Sequence, residues 1–353
     1  MDRGVRHLEP EPRHVAGTLL AFCLSSGLAS SAARFIGATL LALFSASPAF
    51  AQADYPNRPL TYVVPYPAGG AADVFARQLA LELGKRLGQP VVIENRAGAN
   101  GNIGSASVVK APADGYTLLL GTVSTVAINP HLYGKSMPYD PAKDLQAVSG
   151  THSMPNVLVV NLATPYKTVQ DVINAAKAKP GALAYASAGN GNSMHLAGEQ
   201  FRTQAGIDLL HIPYKGGPPA LNDVLGGQVP MMFNNLPAVV PMVRGRKLRA
   251  LAVAATQRSR LLPDVPTMEE AGLKDFTSTV WNGVFVRAGT PRGLVERLNR
   301  EIVAVLRSPE MRQSLEDQGF DVIPSSPEQF TALVRSETTR WAAVVKQSGA
   351  TLD

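Results

Sequence analysis

Short apolar runs alternate with longer amphipathic stretches over most of the chain. Runs rich in Val, Ile, Leu and Tyr at residues 60–65, 91–94, 117–120, 157–161, 182–186, 209–213, 229–233, 248–255 and 280–286 read as strands. The stretches between them, at 71–87, 103–110, 168–179, 193–205, 219–225 and 238–244, read as helices with one apolar face. Alternation on this scale predicts an α/β protein built of βαβ units, with mostly parallel sheets flanked by helices. Nearly continuous apolar strands suit sheets covered on both faces. The tail differs: residues 291–307, 309–318 and 327–347 read as three helices, each begun by a proline near its first turn.

A polar stretch at 151–155 separates one βα series from the next, and the second series ends around 275–279. The run at 280–286 then reads as a strand crossing back, with the C-terminal helices completing the first lobe. The expected organisation is lobe I from 52–153 plus 280–353, and lobe II from 154–279. Two lobes joined by two crossings form a cleft that can close on a ligand.

The N-terminus carries Arg3, Arg6 and Arg13, then apolar runs at 15–28 and 35–44 with Arg34 between them. Ala49 and Ala51 fit the small-x-small rule, so a secretory signal cleaved after Ala51 is expected. The second run is too short to span a bilayer, and Arg34 interrupts any longer anchor. A signal needs only one such run, so the first part fits an upstream start or a long charged leader. Cleavage removes four basic and three acidic side chains from totals of 33 and 27, leaving 29 against 24. This mild, scattered excess has no Lys/Arg block and no aromatic interleaving, which argues against a nucleic-acid partner. The only cysteine, Cys23, follows Phe22, which is too bulky for a lipoprotein signal. A mature chain without thiols has no disulfide, no cysteine catalysis and no cysteine-ligated metal, and it is compatible with an oxidising periplasm.

Ligands of open α/β sheets sit beyond the carboxyl ends of the strands. There the first series places Ala68-Gly69-Gly70, running straight into a helix with Asp73 in its first turn, and a hydroxyl loop with Thr122 and Ser124. The second series places Ser187 to Asn192 with Gly189 inside, then Tyr214-Lys215-Gly216-Gly217, then Asn234-Asn235. A glycine at a strand-to-helix junction lets a ligand approach the backbone, and the helix start points free N–H groups at it. That chemistry holds an anion; it does not cut a bond. Gly, Ser and Asn are also ordinary turn residues, and the case rests on five such loops at corresponding positions. Asp73 reads as ligand-facing or as a helix-capping carboxylate. Lys215 reads as an anion partner or a solvated lysine, and Trp281 as cleft wall or core.

Several segments, in order, then carry a resemblance: VVPYPAGGAADVFARQLA, GQPVVIENRAGANGNIGSASVVKAPADGYTLLLG, NPHLYGKSMPYDP, ASAGNGNSMHLAGEQF, HIPYKGGPPALNDVLGGQV, LRALAVAATQRSRLLPDVPTMEEAG and VWNGVFVRAGTP. They resemble successive motifs of the Bug family, the extracytoplasmic solute receptors of tripartite tricarboxylate transporters. The match runs from about Tyr55 to the C-terminus. It implies a two-lobed periplasmic-binding-protein (Venus flytrap) fold, a periplasmic location, no cofactor and no catalysis. The implied ligand is a small carboxylate: a dicarboxylate, tricarboxylate, acidic amino acid or aromatic acid. The implied partner is a membrane permease with one large and one small integral subunit, served by a monomer.

By motif, the resemblance gives the grip on one carboxylate to Ala68, Gly69, Gly70, Thr122 and Ser124, through backbone N–H groups and ordered water. The rest of the ligand falls to Ser187, Gly189, Asn192, Tyr214, Lys215, Asn234 and Asn235, with Asp73 and His195 completing the candidate set. Departures from the family pattern are Ala97 and Asn100, Asn192 near a common Gly-Ser, and the paired amides of FNNLPA. They bear on the identity of the ligand, not on the fold.

Rival readings remain. Ser187 ends a strand as a hydrolase nucleophile would, but only His195 and His211 follow it, and no suitable Asp precedes a distal His. A dinucleotide site is suggested by Glu94 after the Gly-Gly loop, yet the G-x-G-x-x-G spacing is missing and Pro67 sits in the turn. His195 and Glu199 share a helix face, with His211 as a conceivable third metal ligand; one turn of a core-packed helix explains them as well. An adaptor protein would not need five glycine-rich loops facing one cleft.

Overall fold

The computed structural model describes residues Tyr55 to Ser348; the signal expected at 1–51, with its cleavage site, lies outside them. The first series builds β1 (Leu60–Val64), α1 (Ala71–Leu87), β2 (Val91–Asn95), α2 (Asn102–Val109) and β3 (Thr117–Thr122). Helix α1 shows why these elements form. It opens on Gly70 and closes on Gly88 at φ 69°, with Asp73 in its first turn and Lys85 and Arg86 in its last, as the helix dipole favours. Phe75, Leu79 and Leu83, four residues apart, are fully buried on one face, each stabilising by about 1.5–3 kcal/mol relative to exposure.

The long strand β4 (Leu145–Asn161) leads into the second series. That series contains α3 (Val169–Ala178), β5 (Ala184–Ser187), α4 (Ser193–Ala205), β6 (Leu210–Pro213), α5 (Gly217–Leu225), β7 (Met231–Asn235), α6 (Leu236–Arg244) and β8 (Leu248–Val253). The chain returns through β9 (Thr279–Arg287) and ends in α7 (Arg292–Arg307), α8 (Pro309–Gln318), the short β10 (Asp321–Val322) and α9 (Pro327–Ser348). The three proline-led C-terminal helices stand close to their expected bounds.

Strand order is β2-β1-β3-β9-β4-β7-β5-β6, with β10 and β8 added on β4. Parallel pairing, expected for most of the sheet, is confined among the named strands to the outer βα units, β2-β1-β3 and β7-β5-β6. The centre is antiparallel, because β4 and β9 are the strands by which the chain crosses and returns. The polar stretch at 151–155, expected as a break, is the middle of β4. Its polarity is satisfied across the sheet: Thr151 Oγ1 donates to the Asn282 carbonyl at 3.0 Å, and Asn282 Nδ2 meets His152 Nε2 at 2.7 Å.

At Pro155–Asn156 the partners of β4 change from β9 to β7 and β8. Asn156 pins the crossing. Its N–H donates to the Ser278 carbonyl, its carbonyl accepts from Ala254, and its side chain bonds Ser278 Oγ and Asn235 Nδ2. Two buried apolar clusters lie on either side. One gathers Phe75, Leu119, Ile302 and Leu315; the other gathers Val159, Tyr185, Phe233 and Val239. Leu196 of α4 belongs to the first cluster although its neighbour Ala197 belongs to the second.

Gly121 and Gly283 face each other across β3 and β9. A Cβ on Gly121 would overlap the ring of Phe285; one on Gly283 would overlap Phe330 and stand 2.6 Å from the Ser149 carbonyl oxygen. Because that oxygen belongs to a paired strand, it cannot swing away. Gly283→Ala is therefore expected to cost about 1–3 kcal/mol or more, seen as a lower urea midpoint at unchanged m-value. An unchanged midpoint would contradict this packing.

Candidate functional site

Strand ends and helix starts converge on one cavity of about 220 Å³. From the first series it is lined by Tyr66, Pro67, Gly69, Gly70, Ala71 and Ala72 around the start of α1, and by Thr122 and Ser124 after β3. From the second series come Asn192, Ser193 and Met194 at the start of α4, Gly217 and Pro218 at the start of α5, and Asn234 and Asn235 leading into α6. Four helix N-termini thus border the same space. Neither Gly70, Gly216 nor Asn235 supplies a side-chain cap to its helix, so first-turn N–H groups are left for another acceptor. The prolines at 218 and 219 remove two such donors from α5 and leave Gly217 as its contribution.

No Asp, Glu, Lys, Arg or His is among the residues lining this cavity. Its polar surface is hydroxyls, carboxamides and backbone; Tyr66 and Thr122 share a hydrogen bond of 3.2 Å. Its apolar surface comes from Met154, Met194, Leu221, Ala238 and Val280. Anion affinity in such a site comes from oriented dipoles rather than from an ion pair.

The expected residues divide into three groups. Gly69, Gly70, Thr122, Ser124, Asn192, Asn234 and Asn235 meet at the cavity. Gly189, Tyr214 and Lys215 instead line an adjoining pocket of about 270 Å³, which shares Tyr66, Pro67 and Ala188 with the first. Tyr214 Oη is held by Asp223, and Lys215 is exposed. Ala68, Asp73, Ser187 and His195 line neither.

Each of these last four has a reason. Ala68 is exposed at the tip of its loop. The buried carboxylate of Asp73 accepts from the Gly69 N–H at 3.0 Å, Arg77 Nε at 2.9 Å and Asn95 Nδ2 at 2.9 Å. These donors hold its pKa low against a desolvation that acts upward and is the largest single influence. Asp73 therefore fixes Gly69 at φ 82° and shapes the loop from behind.

Ser187 and His195 belong to a buried cluster behind their loop. Ser187 Oγ lies 2.6 Å from His211 Nε2 and also bonds Gly189. His211 stacks on His195 at 4.0 Å, and His195 Nδ1 accepts from the Gly191 N–H. The nearby carboxylate, Glu199, bonds Tyr185 and Arg202. The serine and histidine are paired, but Ser187 is fully buried and the carboxylate serves other partners, which suits a loop brace. Among the described residues no group of three His, Cys, Asp or Glu is placed to hold a metal ion.

Sequence reasoning missed Asn282 and Val280. Trp281 is core, donating to Glu337 at 2.9 Å, and strand alternation turns its two neighbours to the cavity. That alternation was the available signal. The apolar wall from α5 and α6 left none, since its residues look like any helix face.

Comparison with known proteins agrees with this geometry. Residues 75–350 match the family model described as tripartite tricarboxylate transporter family receptor. Protein BugT of Bordetella pertussis is 41% identical over 299 residues, 84% of this chain and 91% of BugT. R. palustris Rpa4515, solved with adipate, has a TM-score of 0.82 at 37% identity, covering 84% of this chain and 99% of that one. MatC (Rpa3494) from Rhodopseudomonas palustris, solved with bound malate, has a TM-score of 0.78 at 34% identity, covering 82% and 100%. The fold is that of periplasmic binding proteins of this type.

The buried histidines predict a pH dependence. Burial lowers the pKa of His152 to about 3 and of His195 to about 4, with the Arg202 charge adding to the latter. Both fall from an ordinary value near 6.5. A depressed histidine contributes stability that is fully present above the unfolded value. Below it the unfolded chain takes up protons that the folded chain refuses. Stability is therefore expected to fall below pH 6.5, by about 1.4 kcal/mol per pH unit for each such histidine down to its folded value. Thermal melts between pH 7 and 5 should show this drop, and His195→Gln should lessen it by that histidine's share, His152 keeping its own. A melt insensitive to pH over that span would contradict the burial.

Proposed function

The chain belongs to the tripartite tricarboxylate transporter receptor family, the Bug receptors, and on that premise we propose that it captures a small carboxylate outside the cytoplasmic membrane and delivers it to a permease. The permease is one of a large and a small integral subunit. The receptor acts as a monomer without catalysis, and reaches its compartment by a signal removed after Ala51. The observation that carries the reading is the cavity: four helix N-termini, hydroxyls and amides around a space with no charged side chain.

One carboxylate rests on the start of α1 and the hydroxyl loop, at Gly69, Gly70, Thr122 and Ser124. The rest of the molecule lies against Asn192, Asn234 and Asn235 and the apolar wall. Adipate and malate in the two relatives are acids of the size and charge this requires. The two apolar clusters support lobes at 52–153 plus 280–353 and at 154–279. The hinge is the Asn156 crossing, and Pro218 of α5 stands 3.7 Å from where a Cβ on Gly70 would be. The brace around Ser187 favours this reading over a hydrolase, because the hydroxyl is shut away from the cavity.

A thermal-shift panel of mono-, di- and tricarboxylates, sugars and peptides tests the reading. A cognate acid at a hundredfold excess over its Kd should stabilise by about 2.7 kcal/mol; a shift with a sugar or peptide alone would overturn it. Gly70→Val tests the grip. Its φ of −78° suits any residue, so the variant should fold, while the valine methyls cover the start of α1. Calorimetry should show every carboxylate hit weakened tenfold or more; a folded variant with unchanged affinity would contradict the anchoring role.

A further inference from the structure

Three buried side-chain atoms among the described residues have no hydrogen-bond partner: Tyr62 Oη, Asn102 Nδ2 and Asn282 Oδ1. Of the three residues, only Asn282 lines the cavity. Buried acceptors in folded proteins are nearly always paired, so this one needs an explanation.

The orientation of the Asn282 amide follows from a relay of protons. Thr151 Oγ1 donates its single proton to the Asn282 main-chain carbonyl at 3.0 Å. Thr151 can then only accept from His152, whose Nδ1 stands 3.1 Å away and must carry the hydrogen. Enclosed and neutral, His152 has a lone pair on Nε2, and Asn282 Nδ2 donates to it at 2.7 Å. The amino group is thereby committed, and the carboxamide oxygen is left buried without a partner in a residue that borders the cavity. Asn282 is the register partner of Thr122 across β3 and β9, so the residue stands next to the hydroxyl loop.

We propose that Asn282 is a specificity-determining residue whose Oδ1 accepts a hydrogen bond from a donor on the ligand carbon next to the gripped carboxylate, so that the preferred ligands are 2-hydroxy or 2-amino acids. The proposal rests on the carboxylate reading above and narrows it. A plain methylene at that carbon leaves the oxygen unpaired, and a further carboxylate oxygen repels it. A site built to pair a ligand O–H or N–H discriminates strongly against an analogue that lacks it, since the protein group is then stranded. The same relay holds β4 against β9, so the selector is tied to the strands that cross between the two series.

Calorimetry on the mature chain tests this with two sets of acids: succinate, malate and 2-methoxysuccinate; and 3-phenylpropanoate, 3-phenyllactate and 2-methoxy-3-phenylpropanoate. The methoxy acids keep the oxygen and remove the donor. In whichever set binds, the hydroxy acid should be about tenfold or more tighter than both its parent and its methyl ether. On Asn282→Ala the hydroxy acid should bind no tighter than the parent acid and the methyl ether measured on the same variant, with the unliganded melt showing that the variant folds. If the variant does not fold, the wild-type series decides alone. Equal binding of the three acids, or a preference that survives Asn282→Ala, overturns the assignment and leaves the carboxylate reading standing. Failure of all six acids to bind overturns the assignment, and the wider carboxylate panel above then decides the reading it rests on.

Discussion

A carboxylate that enters a closed cleft loses most of its water, and this cavity offers it no cation in return. Burying an unpaired charge is among the most expensive events in a protein. The compensation must come from groups whose hydrogen-bonding capacity is already unfilled, and uncapped helix starts are the readiest source. Much of the architecture follows. Each of the four helix starts stands just beyond the end of a strand, so the strands must end toward one common space. Capping side chains would compete with the ligand, and three of the four starts lack them. Asp73 is placed behind the loop, where it fixes the Gly69 N–H without entering the cavity. An acidic side chain facing inward would repel the ligand.

The convergence depends in turn on β4 and β9. These antiparallel strands join two βα series, and their polar pairings, Thr151 and His152 with Asn282 and Asn156 with Ser278 and Asn235, occupy the crossing. Apolar side chains there would pack without a directional preference. Hydrogen bonds of fixed geometry specify the angle at which the two series meet. The glycine pair Gly121 and Gly283 lets Phe285 and Phe330 press against the same strands.

Local chemistry made much of this legible in the sequence. Helices α1, α4, α7, α8 and α9 are bounded by glycines, prolines and periodic apolar positions, and their limits were readable within a residue or two. The first half of β4 was not. Its polar residues look like a linker because the partners that satisfy them lie some 130 positions away, in β9. For the same reason the antiparallel centre was hidden among parallel units. At the site, the glycine and hydroxyl loops and the paired amides were readable because backbone-exposing and amide residues are conspicuous after strands. Ser187 and His195 drew attention by residue type, yet burial turns them to bracing a loop. Asn282 went unnoticed beside a tryptophan, although strand alternation separates the two.

The central claim is that backbone dipoles, not a side-chain cation, hold the ligand. A crystal structure with a bound carboxylate tests it most directly. The account predicts carboxylate oxygens within about 2.7–3.2 Å of N–H groups at Gly70, Ala71 or Ala72 and of the hydroxyls of Thr122 or Ser124, directly or through one water. A carboxylate seated instead against Lys215 in the adjoining pocket, or paired with any arginine or lysine, would contradict it.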